Sequence, residues 1–147
     1  MSEVIPAKNE IIEIPKSELL VKAMEMKKAG MRLSQACAAY CNEKVELSYS
    51  FVNDRTYDLT TYRVITKVGE EIPSISEIVP AALFYENEMK ELFGVNIKMI
   101  SVDYDNKLYR IRQNAPMLPK EAREKLMSSG KEENNESKEN EGSEING

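Results

Sequence analysis

The sequence predicts an α+β fold: a single domain with a mostly antiparallel sheet packed against two main helices, followed by a disordered acidic C-terminal tail. Three observations carry this prediction. Val45, Leu47, Tyr49 and Phe51 alternate with Lys44, Glu46, Ser48 and Ser50, the period of a strand wetted on one face. The turn-forming residues Asn53-Asp54-Arg55 follow at once, and Tyr57 to Lys67 reads as the returning strand of a hairpin. Two further stretches place apolar residues three and four apart, the spacing of amphipathic helices.

In chain order, residues 1–10 are polar and expected to be flexible, and residues 11–117 are expected to form the domain. Ile11-Ile12-Glu13-Ile14 is a short apolar run that suits a first strand. Pro15 punctuates, and Lys16 to Ala29 reads as a helix with Leu19, Leu20, Ala23, Met24 and Met26 largely on one side. Lys27 and Lys28 suit the negative end of its dipole, and Gly30 suits the position just past its C-terminus. Met31 to Cys41 is expected to be a strand. Gly69-Glu70-Glu71 ends the hairpin, and Ser74-Ile75-Ser76-Glu77 matches a capping box ahead of an apolar stretch. A second helix is therefore expected from there to Phe93. Pro80 marks a break or the first turn of its second part. Ile78, Ala82, Tyr85, Met89, Leu92 and Phe93 face inward, and Gly94 ends it.

Met99 to Tyr104 and Leu108 to Arg112 flank Asp105-Asn106 and are expected to pair as a hairpin. The prolines in Ala115-Pro116-Met117-Leu118-Pro119 predict an extended segment, with a short helix at Lys120 to Met127, so that 118–127 join the domain to the tail. Residues 128–147 are polar, charged and poor in large apolar groups, which predicts disorder.

Composition excludes several classes of chemistry. The formal charge is -5, but residues 128–147 hold six Glu and two Lys, which leaves 18 positive and 19 negative charges on residues 1–127. A body this close to neutral is not built to bind nucleic acid through bulk charge. There is no His, so a His-based triad, a His-ligated metal and a His proton relay are excluded within this chain. Cys37 and Cys41 cannot by themselves complete a four-ligand zinc or iron–sulfur site. On a strand they share a face about 13 Å apart, too far for a disulfide, and structural burial is expected for both. No stretch approaches the roughly 18 apolar residues of a membrane span. Met1-Ser2-Glu3-Val4-Ile5-Pro6 lacks the basic start and apolar stretch of a signal peptide, so a soluble cytoplasmic chain is expected.

Two clusters remain as candidate sites. Glu88 and Glu91 are about 60° apart on a helix and can converge as acid and base, whereas Glu86 points away from Glu88. The simpler expectation is a solvated face on which Glu86 pairs with Lys90 at i,i+4. Lys107, Arg110 and Arg112 lie among Tyr104 and Tyr109, a pattern that suits either an ordinary charged hairpin, a strand-tracking nucleic-acid groove or a protein-contact surface. No nucleophile or phosphate-cradling loop accompanies either cluster, so no catalytic, cofactor-binding or metal-ligating residue is assigned.

Glu86-Asn87-Glu88-Met89-Lys90-Glu91-Leu92-Phe93-Gly94-Val95 resembles the signature of the C subunit of NADH dehydrogenase, a peripheral-arm component of respiratory complex I. Ile72-Pro73-Ser74-Ile75 and Val79-Pro80-Ala81-Ala82 resemble that family's approach to the same helix, and Asn87 stands where the family pattern has Arg. The Val95-Asn96-Ile97 continuation and the closing Tyr109-Arg110 look more like the short D subunit of Ech-type energy-converting, membrane-bound [NiFe] hydrogenases. The resemblance implies a non-catalytic accessory subunit without a cofactor of its own. It implies a place beside a catalytic large subunit and an iron–sulfur small subunit, which hold the [NiFe] centre and the iron–sulfur clusters. It also implies peripheral membrane association on the cytoplasmic face, through the complex alone. The expected interface residues are Glu86, Glu88, Glu91, Leu92, Phe93, Gly94, Tyr109, Arg110 and Arg112. The alternative is a free-standing module that binds RNA or protein through the basic hairpin 99–112.

Overall fold

The computed structural model describes residues 3–139. Its largest element is a four-stranded sheet in the order β1-β4-β3-β2, formed by β1 (Asn9–Glu13), β2 (Arg32–Cys41), β3 (Lys44–Val52) and β4 (Leu59–Lys67). β2 to β4 form an antiparallel meander, and β1 adds to β4 in parallel. The sheet is therefore mostly antiparallel, as the alternating patterns predict. Val45, Leu47, Tyr49 and Phe51 of β3 all face the core, with Tyr62 and Val64 of β4 beside them. Phe51 and Tyr62 meet edge to face with ring centroids 6.3 Å apart.

α1 (Leu19–Lys28), after a 3-10 turn at Lys16–Glu18, lays Leu19 and Ala23 on this face of the sheet. Gly30 takes φ 71° just past its C-terminus, as its sequence position predicts. In β2, Leu33 and Ala36 are both buried although three residues apart, a spacing that a regular strand sends to opposite faces. A register shift between Leu33 and Gln35 absorbs the extra residue. β2 and β3 are joined by Asn42 and Glu43 alone, with φ of 50° and 61°, the left-handed pair that a two-residue hairpin turn requires.

The second unit is a small crossover. β5 (Glu71–Pro73) runs into α2 (Ala82–Phe93), which returns to β6 (Asn96–Lys98), paired in parallel with β5. Both strands are three residues long, too short to leave a periodic trace in the sequence. α2 packs on β2. Ile72, Ile75, Ala82, Met89, Val95 and Ile97 extend the core beneath it. Gly94 stops the helix with φ 63°.

Four expectations are corrected. The capping box at Ser74–Glu77 does not open a helix: α2 begins at Ala82, and the Ser74 hydroxyl serves a buried carboxylate instead. The residues between are turns, with Pro80 just ahead of the helix. The hairpin expected between Met99 and Arg112 does not form, and this segment is an irregular loop held against α2. Its backbone groups are taken instead by the side chains of Ser76, Asn87 and Glu91. Cys37 and Cys41 are exposed rather than buried, because the bulge at the start of β2 turns them to the outer face of the sheet. The last helix is longer than expected, with α3 spanning Lys120–Glu139, while residues 140–147 of the expected tail lie outside the described residues. Ala115, Leu118 and Ala122 anchor its start in the core. Among the described residues no helix is long and apolar enough to cross a membrane.

Candidate functional site

α2 carries Glu86, Asn87, Glu88, Lys90 and Glu91, and each holds a different part of the chain. Glu86 is completely buried. Its carboxylate accepts hydrogen bonds from the Ser74 hydroxyl, from the Ile75 backbone N–H at 2.8 Å and from the Tyr49 hydroxyl at 3.3 Å. Burial raises its pKa, and the bonds from Ser74, Ile75 and Tyr49 oppose the shift. Burial likewise pushes the Tyr49 hydroxyl well above its usual range, with the Glu86 charge adding to it. The Ser74 and Ser76 hydroxyls lie 2.7 Å apart, and Ser76 accepts the Ser101 N–H at 2.8 Å. A continuous polar chain thus links the inner face of the sheet, through Glu86, to the start of the 99–117 loop.

The next residues clamp that loop. The Asn87 side-chain amide donates to the Leu83 and Val102 carbonyls, both at 2.9 Å, and its oxygen accepts the Tyr104 N–H at 2.9 Å. The Lys90 ammonium pairs with Asp103 and holds that carboxyl below its usual pKa. Glu91 is buried, and accepts the N–H groups of Leu108 at 2.8 Å and Tyr109 at 3.0 Å. Glu88 accepts the Tyr109 hydroxyl at 2.8 Å. Beyond it, Ala115 and Met117 donate to the otherwise unpaired Glu91 and Leu92 carbonyls of the helix C-terminus, at 3.2 and 2.9 Å. All buried side-chain polar atoms among the described residues are satisfied. The loop has no regular secondary structure, yet bonds from beneath fix it from Ser101 to Met117.

What the loop presents outward is apolar and basic. Met99 is 88% exposed and Phe84, on α2 beside the loop, 58%. Val102, Tyr109, Ile111 and Met117 are exposed as well, and Phe84 stacks on Tyr104 at 6.3 Å with planes 20° apart. Lys107, Arg110 and Arg112 stand among them at the surface. Soluble chains rarely hold so many large apolar side chains in water on one ordered segment without a partner for them.

The expected interface residues therefore divide into three groups. Tyr109, Arg110 and Arg112 are exposed, while Glu88, Leu92, Phe93 and Gly94 are half-buried, Gly94 against Ala115, Leu118 and Leu126. Glu86 and Glu91 are internal. The expected Glu86–Lys90 pair is absent, because Glu86 points into the core and Lys90 reaches Asp103. Glu88 and Glu91 do converge, but on Tyr109, whose hydroxyl and backbone N–H occupy the carboxylates that an acid–base pair would offer a substrate. Sequence reasoning alone misses Tyr49, Ser74, Ser76, Asn87 and Asp103. The spacing of Ser74 and Ser76 is a signal, but the pattern around it is that of a helix cap. Asn87 carries the other signal, a polar residue of poor helix propensity in mid-helix, which points to a side chain with a bond to make elsewhere.

Comparison with known proteins agrees with this architecture. One solved structure with the same fold belongs to the membrane-bound sulfane sulfur reductase (MBS), an archaeal respiratory membrane complex. The match has a TM-score of 0.60 and 18% identity, over 74% of this chain and 65% of that one. This chain thus spans less than two thirds of that relative. No curated protein sequence matches. The family model for the 30 kDa subunit of respiratory-chain NADH dehydrogenase matches residues 12–102, from the first strand through the motif helix to the clamped loop. Over that span, well more than half its length, the chain belongs to the family of the respiratory-chain NADH dehydrogenase 30 kDa subunit.

Proposed function

We propose that this chain is a non-catalytic accessory subunit of a membrane-associated electron-transfer complex, of the energy-converting hydrogenase or NADH dehydrogenase type. It supports the catalytic large subunit and the iron–sulfur small subunit on the cytoplasmic face, and the iron–sulfur clusters and [NiFe] centre belong to those partners. Its membrane association runs through the complex. The observation that carries this reading is the clamped loop. Polar side chains of α2 are committed to fixing its backbone, which leaves its apolar and aromatic side chains ordered at the surface before any partner arrives. Pre-ordering of this kind lowers the entropic cost of association. Glu88, Leu92, Phe93, Gly94, Tyr109, Arg110 and Arg112 form or flank that surface, and Glu86 and Glu91 shape it from beneath.

The test is recovery of the tagged full-length chain from native membranes. The expected result is co-purification with a large and a small subunit, iron and nickel travelling with the complex. Met99→Asp combined with Tyr109→Asp is expected to abolish co-purification while the chain stays folded. A wild-type chain recovered from those membranes alone, as a monomer, overturns the reading. A second reading follows from Lys107, Arg110 and Arg112, which make no ion pair among the described residues. On it the chain is a free-standing binding module for RNA or protein. Salt-dependent RNA binding that vanishes in the triple Ala variant supports it.

A further inference from the structure

The main sheet has two edges, and they differ. β1 is five residues long, carries Glu10 and Glu13, and is followed two residues later by Pro15. Charge, shortness and a nearby proline are the usual means of keeping an edge from pairing with another chain. β2 is ten residues long, and from Leu33 to Asn42 the sequence Leu-Ser-Gln-Ala-Cys-Ala-Ala-Tyr-Cys-Asn holds no charge at all. Its bulge lies at Leu33/Gln35, so the register from Ala36 to Cys41 is unbroken.

The turn tells which backbone groups of β2 face outward. With only Asn42 and Glu43 between them, Cys41 and Lys44 form the hydrogen-bonded pair that closes the hairpin. Alternation then makes Ala39↔Glu46 and Cys37↔Ser48 bonded pairs. Tyr40, Ala38 and Ala36 must turn their N–H and C=O groups away from β3. None of these groups bonds elsewhere among the described residues. Tyr85 reaches the Ser34 carbonyl at 3.3 Å, which ties α2 to the bulged end, and Ala36 beside it is buried, so Ala38 and Tyr40 are the outward-turned residues left accessible. The side chains turned to the outer face there, Cys37, Ala39 and Cys41, are small and exposed.

We propose that the β2 edge from Ala38 to Cys41 receives an extended, uncharged segment of a partner subunit as a fifth strand of the sheet, held by the backbone groups of Ala38 and Tyr40, since Ala36 is itself buried. Four residues is within the usual range of strand lengths, and the absence of charge on this edge matches a segment that is itself uncharged. This is a second contact, on a different element from the loop of residues 99–117, and it rests on the reading that the chain works inside an assembly.

Cys37 and Cys41 are the chain's only thiols and flank this edge, so they report on it directly. The experiment compares maleimide labelling of the full-length chain alone and in the complex recovered from native membranes. Labelling is expected to slow at least about tenfold in the complex, which a partner strand lying beside the thiols produces. Ala38→Pro removes one outward N–H and no bond to β3, a position where an edge strand tolerates proline. It is expected to lower recovery of the complex by about tenfold. Ile65→Lys, on the same outer face in line with Glu46 and Ala39 but on β4, is expected to leave recovery unchanged. Should Ala38→Pro not fold, the wild-type labelling rates decide.

A chain that assembles through its loop but labels as fast as the free protein overturns this proposal and leaves the accessory-subunit reading standing. A chain that never assembles overturns both. Equal loss in Ile65→Lys points to a partner covering the whole face and overturns the strand addition. A dimer of the isolated chain, crosslinked through Cys37, replaces the partner strand with a second copy and overturns it too.

Discussion

Glu91 and Tyr109 are 18 positions apart, yet the buried Glu91 side chain accepts the backbone N–H of the exposed Tyr109 at 3.0 Å. The same carboxylate accepts the Leu108 N–H, so one side chain ends the freedom of an otherwise irregular segment. Glu91→Ala removes both acceptors at once. It is expected to lower stability by about 2–3 kcal/mol, because two partly buried donors lose their partner. Amide hydrogen exchange at Leu108 and Tyr109 checks it. Unchanged protection there rules out the clamp.

Glu86→Ala strikes deeper. The Ser74 hydroxyl, the Ile75 N–H and the Tyr49 hydroxyl all lose their acceptor, and a cavity opens against the sheet. A loss of about 3–5 kcal/mol is expected, read as a shift of the urea midpoint. Glu86→Gln keeps one acceptor oxygen and is expected to cost about half as much.

Gly94 combines a left-handed backbone with a crowded surface. A Cβ there would lie 2.5 Å from Leu126 Cδ2 and 3.2 Å from Ala115 Cβ, at φ 63°. Gly94→Ala is therefore expected to cost about 1–3 kcal/mol and to loosen α3. Leu126→Ala keeps the Gly94 backbone and removes only the side chain that fills the notch. It is expected to expose α3 to limited proteolysis while α2 remains intact, and protease resistance equal to the wild type in both variants would refute the contact.

Two carboxylates give opposite pH slopes. Glu70 is held down to about 2 by Lys16, by the Lys67 N–H and by the Thr66 hydroxyl, against an ordinary value of 4.5. Its folded pKa lies below the unfolded one, so its contribution is present above pH 4.5 and is lost as pH falls toward 2. Burial raises Glu86 above 4.5, so its contribution is complete below that pH and declines as pH rises through the raised value. Urea midpoints measured against pH are expected to show a shallower acid limb in Glu70→Gln and a flatter fall above pH 4.5 in Glu86→Gln. A Glu70→Gln curve that superimposes on the wild type below about pH 4 excludes the first effect.

Long periodic segments are legible from the residues. β3 and β4 lie where the alternation places them, and α1 lies within its predicted span. Short elements are not. β5 and β6 have three residues each and exist only because they pair with one another across α2. The loop of residues 99–117 has the apolar alternation of a hairpin, but Asn87, Lys90 and Glu91 offer it better partners than a second strand does. The motif helix is recognisable as a string of residues, whereas its division into buried clamps and exposed contacts is not.

The sequence by itself determined the α+β class, the sheet meander, the helix ending at Gly94, the near-neutral body and the family of the motif. These follow from local periodicity, turn chemistry and composition, all properties of neighbouring residues. The tertiary structure alone decided that Glu86 and Glu91 face inward, that Cys37 and Cys41 face outward, and that the loop is fixed without strands. Those outcomes depend on which backbone donors lie near a given carboxylate after folding, and on one bulged residue that shifts the register of β2. A donor far along the chain leaves no trace in the pattern around the residue that accepts from it.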